Sequence, residues 1–231
     1  MAQDYASSIL GVAIRVTRLL PSGAIATGAE ASYVTKRFVS LSFTPEFEAG
    51  DEFTQKAADG SVCASLKAPD TLKRVTINVA ICDPDPEFTE IIAGGKLLVT
   101  GTGVTKKTVG WAAPTIGVDP TPNGCVIEVW SKAVKEGKTA GTAPYFHWIF
   151  PYTQMRISGE RVIENGMMGT AFEGWGVGNA AYGPSITALT TGKPVAAWTY
   201  ETSEAVAYAR ADAAPSVPSG AGYVPVGVTS A

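Results

Sequence analysis

The sequence predicts a mainly β protein: an antiparallel sandwich or barrel-like fold with one flanking helix and extended loops and arms. Three observations predict it. Several stretches alternate β-branched or aromatic residues with polar ones, the period of a strand with one buried face. The 231 residues include Gly 25 and Pro 15, enough punctuation for many strands and turns. And one short stretch alone combines helical spacing with both a start and a stop signal.

That stretch lies in residues 71–96, TLKRVTINVAICDPDPEFTEIIAGGK. Val75, Ile77, Val79 and Ile81 alternate with Arg74, Thr76, Asn78 and Ala80, which predicts a half-buried strand. Asp83 and Asp85 are two possible N-caps, each followed by a proline suited to the first helical position. Phe88, Ile91 and Ile92 recur at helical spacing, Glu87 suits the helix dipole, and Gly94-Gly95 can end the helix. A helix over about 85–93 is expected, followed by an extended segment over 96–100. Acids at its start would repel a phosphate, so this is not a nucleotide-binding turn.

From the N-terminus, residues 1–10 read as a short polar arm, and residues 11–210 as one β-rich domain. Val12, Ile14 and Val16 predict a first strand, and residues 33–43 a long strand with an irregularity. Residues 44–60, TPEFEAGDEFTQKAADG, carry Glu46, Glu48, Asp51, Glu52 and Asp59 against one base, Lys56, interrupted by Phe47 and Phe53. They read as a long acidic loop, with an extended hairpin docked on a neighbouring subunit as the alternative. Strand fragments and a long loop are expected over 101–124, and a strand over 125–134 with Ile127 and Val129 on one face, Glu128 and Trp130 on the other. YFHWIF at 145–150 is apolar on both faces, a central strand or a buried subunit contact. Asn165-Gly166 marks a hairpin, residues 195–200 a last strand, and residues 203–210 a short helix. Residues 211–231, rich in Ala, Pro and Gly, read as a low-complexity tail.

The totals narrow the function. Charged residues make up only 17% against 45% hydrophobic, so part of the surface is expected to be covered by partners. A formal net charge of -3 argues against binding nucleic acid through phosphate neutralisation. Cys63, Cys82 and Cys125 have no paired spacing and read as buried free thiols in a protein made in a reducing cytoplasm. No apolar run approaches the ~20 residues that span a membrane, so no membrane partner is expected.

Chemistry has little material. His147 is the only histidine and sits between Phe146 and Trp148 in an apolar strand, so a packed side chain is expected over a catalytic one. Asp83, Asp85 and Glu87 alternate with prolines, which favours capping over a metal site. The loose glycine-rich match GWGVG at 174–178 is too weak to indicate a phosphate loop. Five tryptophans could line a sugar-binding face, but they are scattered singly through strands. Neither a catalytic residue, a cofactor nor a metal is expected.

The order of these features resembles the major tail protein, the tail tube subunit, of long-tailed, non-contractile phages of actinobacterial hosts. The resemblance rests on GVAIRVTRL near the start, FTPEFEAGDEFTQKAADGSVC, the CDPDPEF helix entry, VIENG and FEGWGVG, and covers about residues 10–200. It implies a sandwich or barrel-like subunit with a flanking helix, six copies of which close a ring through sheet edges. Stacked rings would make a tube that surrounds a tape-measure protein, contacts other tail proteins and later passes genomic DNA without sequence-specific binding. The location implied is the virion tail, after synthesis in the host cytoplasm. The long loop at 44–60 matches the family's inter-ring loop, making Glu46, Phe47, Glu48, Asp51, Glu52 and Phe53 candidates for a neighbouring ring or the lumen. Two alternatives stand beside it: a tail terminator or related ring-forming tail protein, and a β-sandwich carbohydrate-binding module.

Overall fold

Strands occupy Ser7–Arg18 (β1), Gly28–Thr35 (β2), Phe38–Glu48 (β3), Glu52–Lys56 (β4), Val62–Lys67 (β5) and Thr71–Ile81 (β6). The helix Pro86–Ala93 (α1) follows, then Lys96–Thr100 (β7), Lys107–Ala112 (β8), Cys125–Lys135 (β9), Lys138–Thr139 (β10) and Tyr145–Ile157 (β11). Thr170–Val177 (β12), Ala207–Ala211 (β13) and Ala221–Val226 (β14) are the remaining strands among the described residues. The structure is a computed structural model that describes residues 6–102, 105–141, 143–159, 169–182 and 204–227. The mainly β, antiparallel fold with one helix is as the sequence predicts.

The main sheet runs β14-β2-β1-β9-β11-β12-β6-β3, with β10 beside β9 and β13 beside β11. β11 is the branch point. Its residues 145–149 pair with β13 and its residues 152–157 with β12, so one strand serves two neighbours in succession. Its pairing with β9 slips between Phe150 and Thr153, around Pro151, which has no N–H for the ladder. Beyond this point the sheet curls over itself. Phe43 of β3 meets Trp148 and Phe150 of β11, with ring centroids at 5.8 and 5.4 Å. The Phe38 ring lies where a side chain on Gly11 of β1 would stand, 2.1 Å from its Cβ position, so glycine permits the two layers to close.

α1 fills the space between the layers. Phe88, Ile91, Ile92 and Ala93 are buried in one core with Ile14, Val16, Ile77 and Phe172. Asp85 is the N-cap: its carboxylate accepts from the Phe88 N–H at 3.1 Å and from the Tyr33 hydroxyl at 2.8 Å. Burial pushes the Asp85 carboxyl upward, although these two donors pull it down. Asp83 is not the cap; it pairs with Arg37 at 3.2 Å, both half-exposed. The chain leaves α1 through Gly94 and Gly95, with φ of 71° and 102°. A Cβ on Gly94 would lie 2.1 Å from the Pro120 carbonyl oxygen, so both backbone and space require glycine there. Asp85→Ala is expected to cost about 2 kcal/mol in urea unfolding, through the lost cap and the stranded Tyr33 hydroxyl. Asp83→Ala is expected to cost under ~0.5 kcal/mol in the same measurement, because its partner is solvated.

Four expectations are corrected. The long strand over 33–43 is two strands, broken at Lys36-Arg37 so that β2 pairs with β1 while β3 pairs with β6. Residues 7–10 are not a free arm but the start of β1, with Ser7 opposite Val134. The helix expected over 203–210 is not formed, since Ala207–Ala211 is a strand. Its alternate residues Ala207 and Ala209 lie opposite Ile149 and His147, and small side chains suit that close pairing. The tail at 211–231 contains β14, which pairs with β2 and sets Tyr223 edge-on to Tyr33 at 5.2 Å. Its glycines and prolines mask that strand in the sequence. The hairpin at Asn165-Gly166 and the strand at 195–200 lie outside the described residues.

Candidate assembly surface

The acidic stretch at 44–60 is mostly strand. It forms the end of β3 and the whole of β4, which pairs with β5 in a separate hairpin. Asp59 makes the tip turn, accepting from the Ser61 backbone N–H at 2.9 Å, with Gly60 at a φ of 85°. At the neck, the Ala68 N–H donates to the Asp51 carbonyl at 2.9 Å and the Gly50 N–H to the Asp70 carboxylate at 3.1 Å. Every residue of β4 and β5 is exposed. Phe53 and Leu66 face each other across the hairpin, 65% and 67% exposed. Phe47 and Leu72 form a second such pair at its base, 64% and 48% exposed. A two-stranded hairpin is marginal in water without a surface to pack on. This one packs on nothing in its own chain among the described residues.

The acids of this stretch are less bare than their sequence suggests. Glu46 accepts from Arg74 at 2.6 Å and from the Thr76 hydroxyl, and the Thr76 bond first, then Arg74, hold its carboxyl below the usual range. Glu48 lies 4.0 Å from Lys73, and Glu52 sits opposite Lys67. Lys67, Lys73 and Arg74 lie outside residues 44–60, and only the register of β3 on β6 and β4 on β5 brings them alongside. Asp51 is at the neck, and Phe53 is the side chain best placed to dock.

A second apolar surface carried no sequence signal beyond a vague extended reading. β7 and β8 form a second hairpin, one end of which rests on α1 through Trp111, whose Nε1 donates to the Gly94 carbonyl at 2.8 Å; Leu98, Val99 and Val109 stay exposed, and the following loop leaves Ile116 99% exposed. Helical or strand periodicity marks faces that meet their own core; it does not mark faces that meet another chain. Among the described residues, the end strands β3 and β14 are also each paired on one side only.

The catalytic alternative has a geometry of its own. Glu128 is buried and accepts from Arg15 through two bonds of 2.6 Å, and its Oε1 lies 3.0 Å from His147 Nε2. Burial works to raise the Glu128 carboxyl, but the Arg15 guanidinium and His147 more than offset it and hold it down at about 2. Trp130 stacks on His147 at 4.1 Å between ring centroids, with the Arg15 guanidinium carbon 5.1 Å from the Trp130 ring centre. His147 is fully enclosed, so no substrate reaches it. Both faces of β9 are buried here: Ile127 and Val129 in the helix-side core, Val126 in a second cluster with Ile149 and Tyr182. Of the three cysteines expected to be buried only Cys125 is: Cys63 is exposed on β5, which packs on no core among the described residues, and Cys82 is half-buried. Burial pushes the Cys125 thiol up to about 11, far from a reactive thiolate. Among the described residues no three His, Cys, Asp or Glu side chains come together as a metal site. Compared with family models and with curated proteins, the chain matches none.

Proposed function

We propose that this chain is a structural, non-enzymatic subunit of a phage tail tube, which self-assembles into rings, six-membered by the family resemblance, that stack around a tape-measure protein. The tube then conducts DNA without sequence-specific contacts, and the subunit resides in the virion tail beside other tail proteins. One observation carries the reading: the projecting β4–β5 hairpin with its bare Phe53–Leu66 pair. Such a hairpin gains stability only when a second surface covers it, and in a self-assembling protein that surface belongs to the next copy. Strands β3 and β14, each paired on one side only among the described residues, support it, because ring closure removes edges that otherwise aggregate. The motifs FTPEFEAGDEFTQKAADGSVC and CDPDPEF, which suggested the family, fall on this hairpin and on the entry to α1.

Sedimentation velocity across concentration tests the proposal. Species of ring mass that grow into larger particles are expected. Rings that never grow would move the reading to a tail terminator, and a monomer at every concentration would overturn it.

A further inference from the structure

Beside the base of the β4–β5 hairpin, the outer face of β3, β6, β12 and β11 forms a polar concavity of about 570 Å³. We propose that it is a binding site for a neutral carbohydrate, stacked on Trp175. This inference is independent of assembly.

Three cross-strand rows carry the floor, with Thr44 and Ser42 at their outer ends beyond the lining. Thr44, Thr76, Trp175 and Gln154 stand opposite one another in the first. Ser42, Asn78, Glu173 and Arg156 form the second, and Glu46 with Arg74 the third. A loop at Asp119–Thr121 walls one side, fixed to the floor by Gln154 Nε2, which donates to Asp119 Oδ2 at 3.2 Å. The floor is close-knit because Gly174 brings β12 against β11: a Cβ there would lie 2.1 Å from the Gln154 carbonyl oxygen. The volume falls within the roughly 300–1,000 Å³ of small-molecule sites.

The lining selects the ligand class. Trp175 is half-buried and steadied by the Tyr152 ring at 5.9 Å between centroids, leaving part of the indole toward the cavity. The negative face of an indole attracts the weakly positive C–H face of a sugar ring. Both guanidiniums are already engaged, Arg74 with Glu46 at 2.6 Å and Arg156 with Glu173 at 2.7 Å. With Asp119 added, the site holds three carboxylates against two cations, so an anionic ligand would meet net repulsion. A hydroxylated neutral ligand fits instead. The exposed Asn78 carboxamide offers donors and an acceptor together, and the carboxylates and guanidiniums retain free positions for hydroxyls. The Thr121 hydroxyl is buried in the wall without a hydrogen-bond partner among the described residues.

Saturation-transfer NMR and tryptophan-fluorescence titration of the purified full chain with maltotriose, cellotriose, galactotriose and a sulfated galactobiose test this. Saturable binding of at least one neutral trisaccharide is expected, weakened about tenfold or more in Trp175→Ala and again in Asn78→Ala, with no tighter binding of the sulfated sugar. Asn78 is exposed, so its variant folds even if the tryptophan variant does not. No saturable binding by any neutral sugar at about 10 mM would overturn the proposal. So would binding that survives Asn78→Ala and Trp175→Ala unchanged, or a preference for the sulfated sugar. Because sedimentation reads assembly separately, failure of one proposal leaves the other standing.

Discussion

Phe53→Ser/Leu66→Ser is expected to leave a folded chain that no longer assembles. In the isolated subunit both side chains are about two-thirds exposed, so removing them takes little from the core. Unfolding free energy of the monomer should shift by no more than ~0.5 kcal/mol, the usual range for a surface change. In the proposed assembly the same side chains would form the apolar centre of a contact. Burying each contributes about 2 kcal/mol, so losing both weakens each subunit contact by about 4 kcal/mol, or roughly a thousandfold. Repetition through a polymer multiplies that loss. Sedimentation should show monomer at concentrations where the parent chain polymerises. Asp59→Asn, at the turn away from the apolar pair, should leave assembly nearly unchanged.

Arg15→Ala carries the largest expected effect on the fold itself. It leaves the Glu128 carboxylate buried without its guanidinium, and breaking such a pair costs about 3–5 kcal/mol. That is a large share of the 5–15 kcal/mol by which a domain of ordinary stability stays folded. Replacing both members at once, as in Arg15→Met/Glu128→Leu, should cost less than either single change, because no charge is then stranded. Acid titration reads the same cluster. The folded Glu128 carboxyl sits at about 2, below its ordinary 4.5. Its contribution is therefore complete above about pH 4.5 and is lost as the pH falls from there toward 2. Glu128→Gln should lose that part of the acid dependence. A parent and variant with parallel stability curves between pH 5 and about 2.5 would contradict the assignment.

Much of the architecture was legible because its elements are consistent with local chemistry. Val75, Ile77, Val79 and Ile81 read as a buried strand face, and Asp85-Pro86 with Gly94-Gly95 bounded α1 to within a residue. Where local cues and tertiary pairing diverged, reading failed. Ala207 and Ala209 suit a helix by propensity, yet pairing with β11 draws them into a strand. β14 hides among Gly and Pro because an edge strand tolerates both. At the candidate assembly surface, Phe47 and Phe53 were conspicuous among acids. The bases that accompany those acids were not, because Arg74 reaches Glu46 only through a cross-strand register 28 residues away. The enclosed Arg15–Glu128–His147 cluster escaped notice for the same reason: its members are distant in sequence, and a single histidine in an apolar strand points only to burial.

Electron microscopy of the purified protein, in negative stain and followed across concentration and time, tests the central claim most directly. Hollow tubes of constant diameter with a regular axial repeat are the result expected for the parent chain, with Phe53→Ser/Leu66→Ser giving none. A field of discrete single particles at every concentration and time, the same for parent and variant, would contradict it.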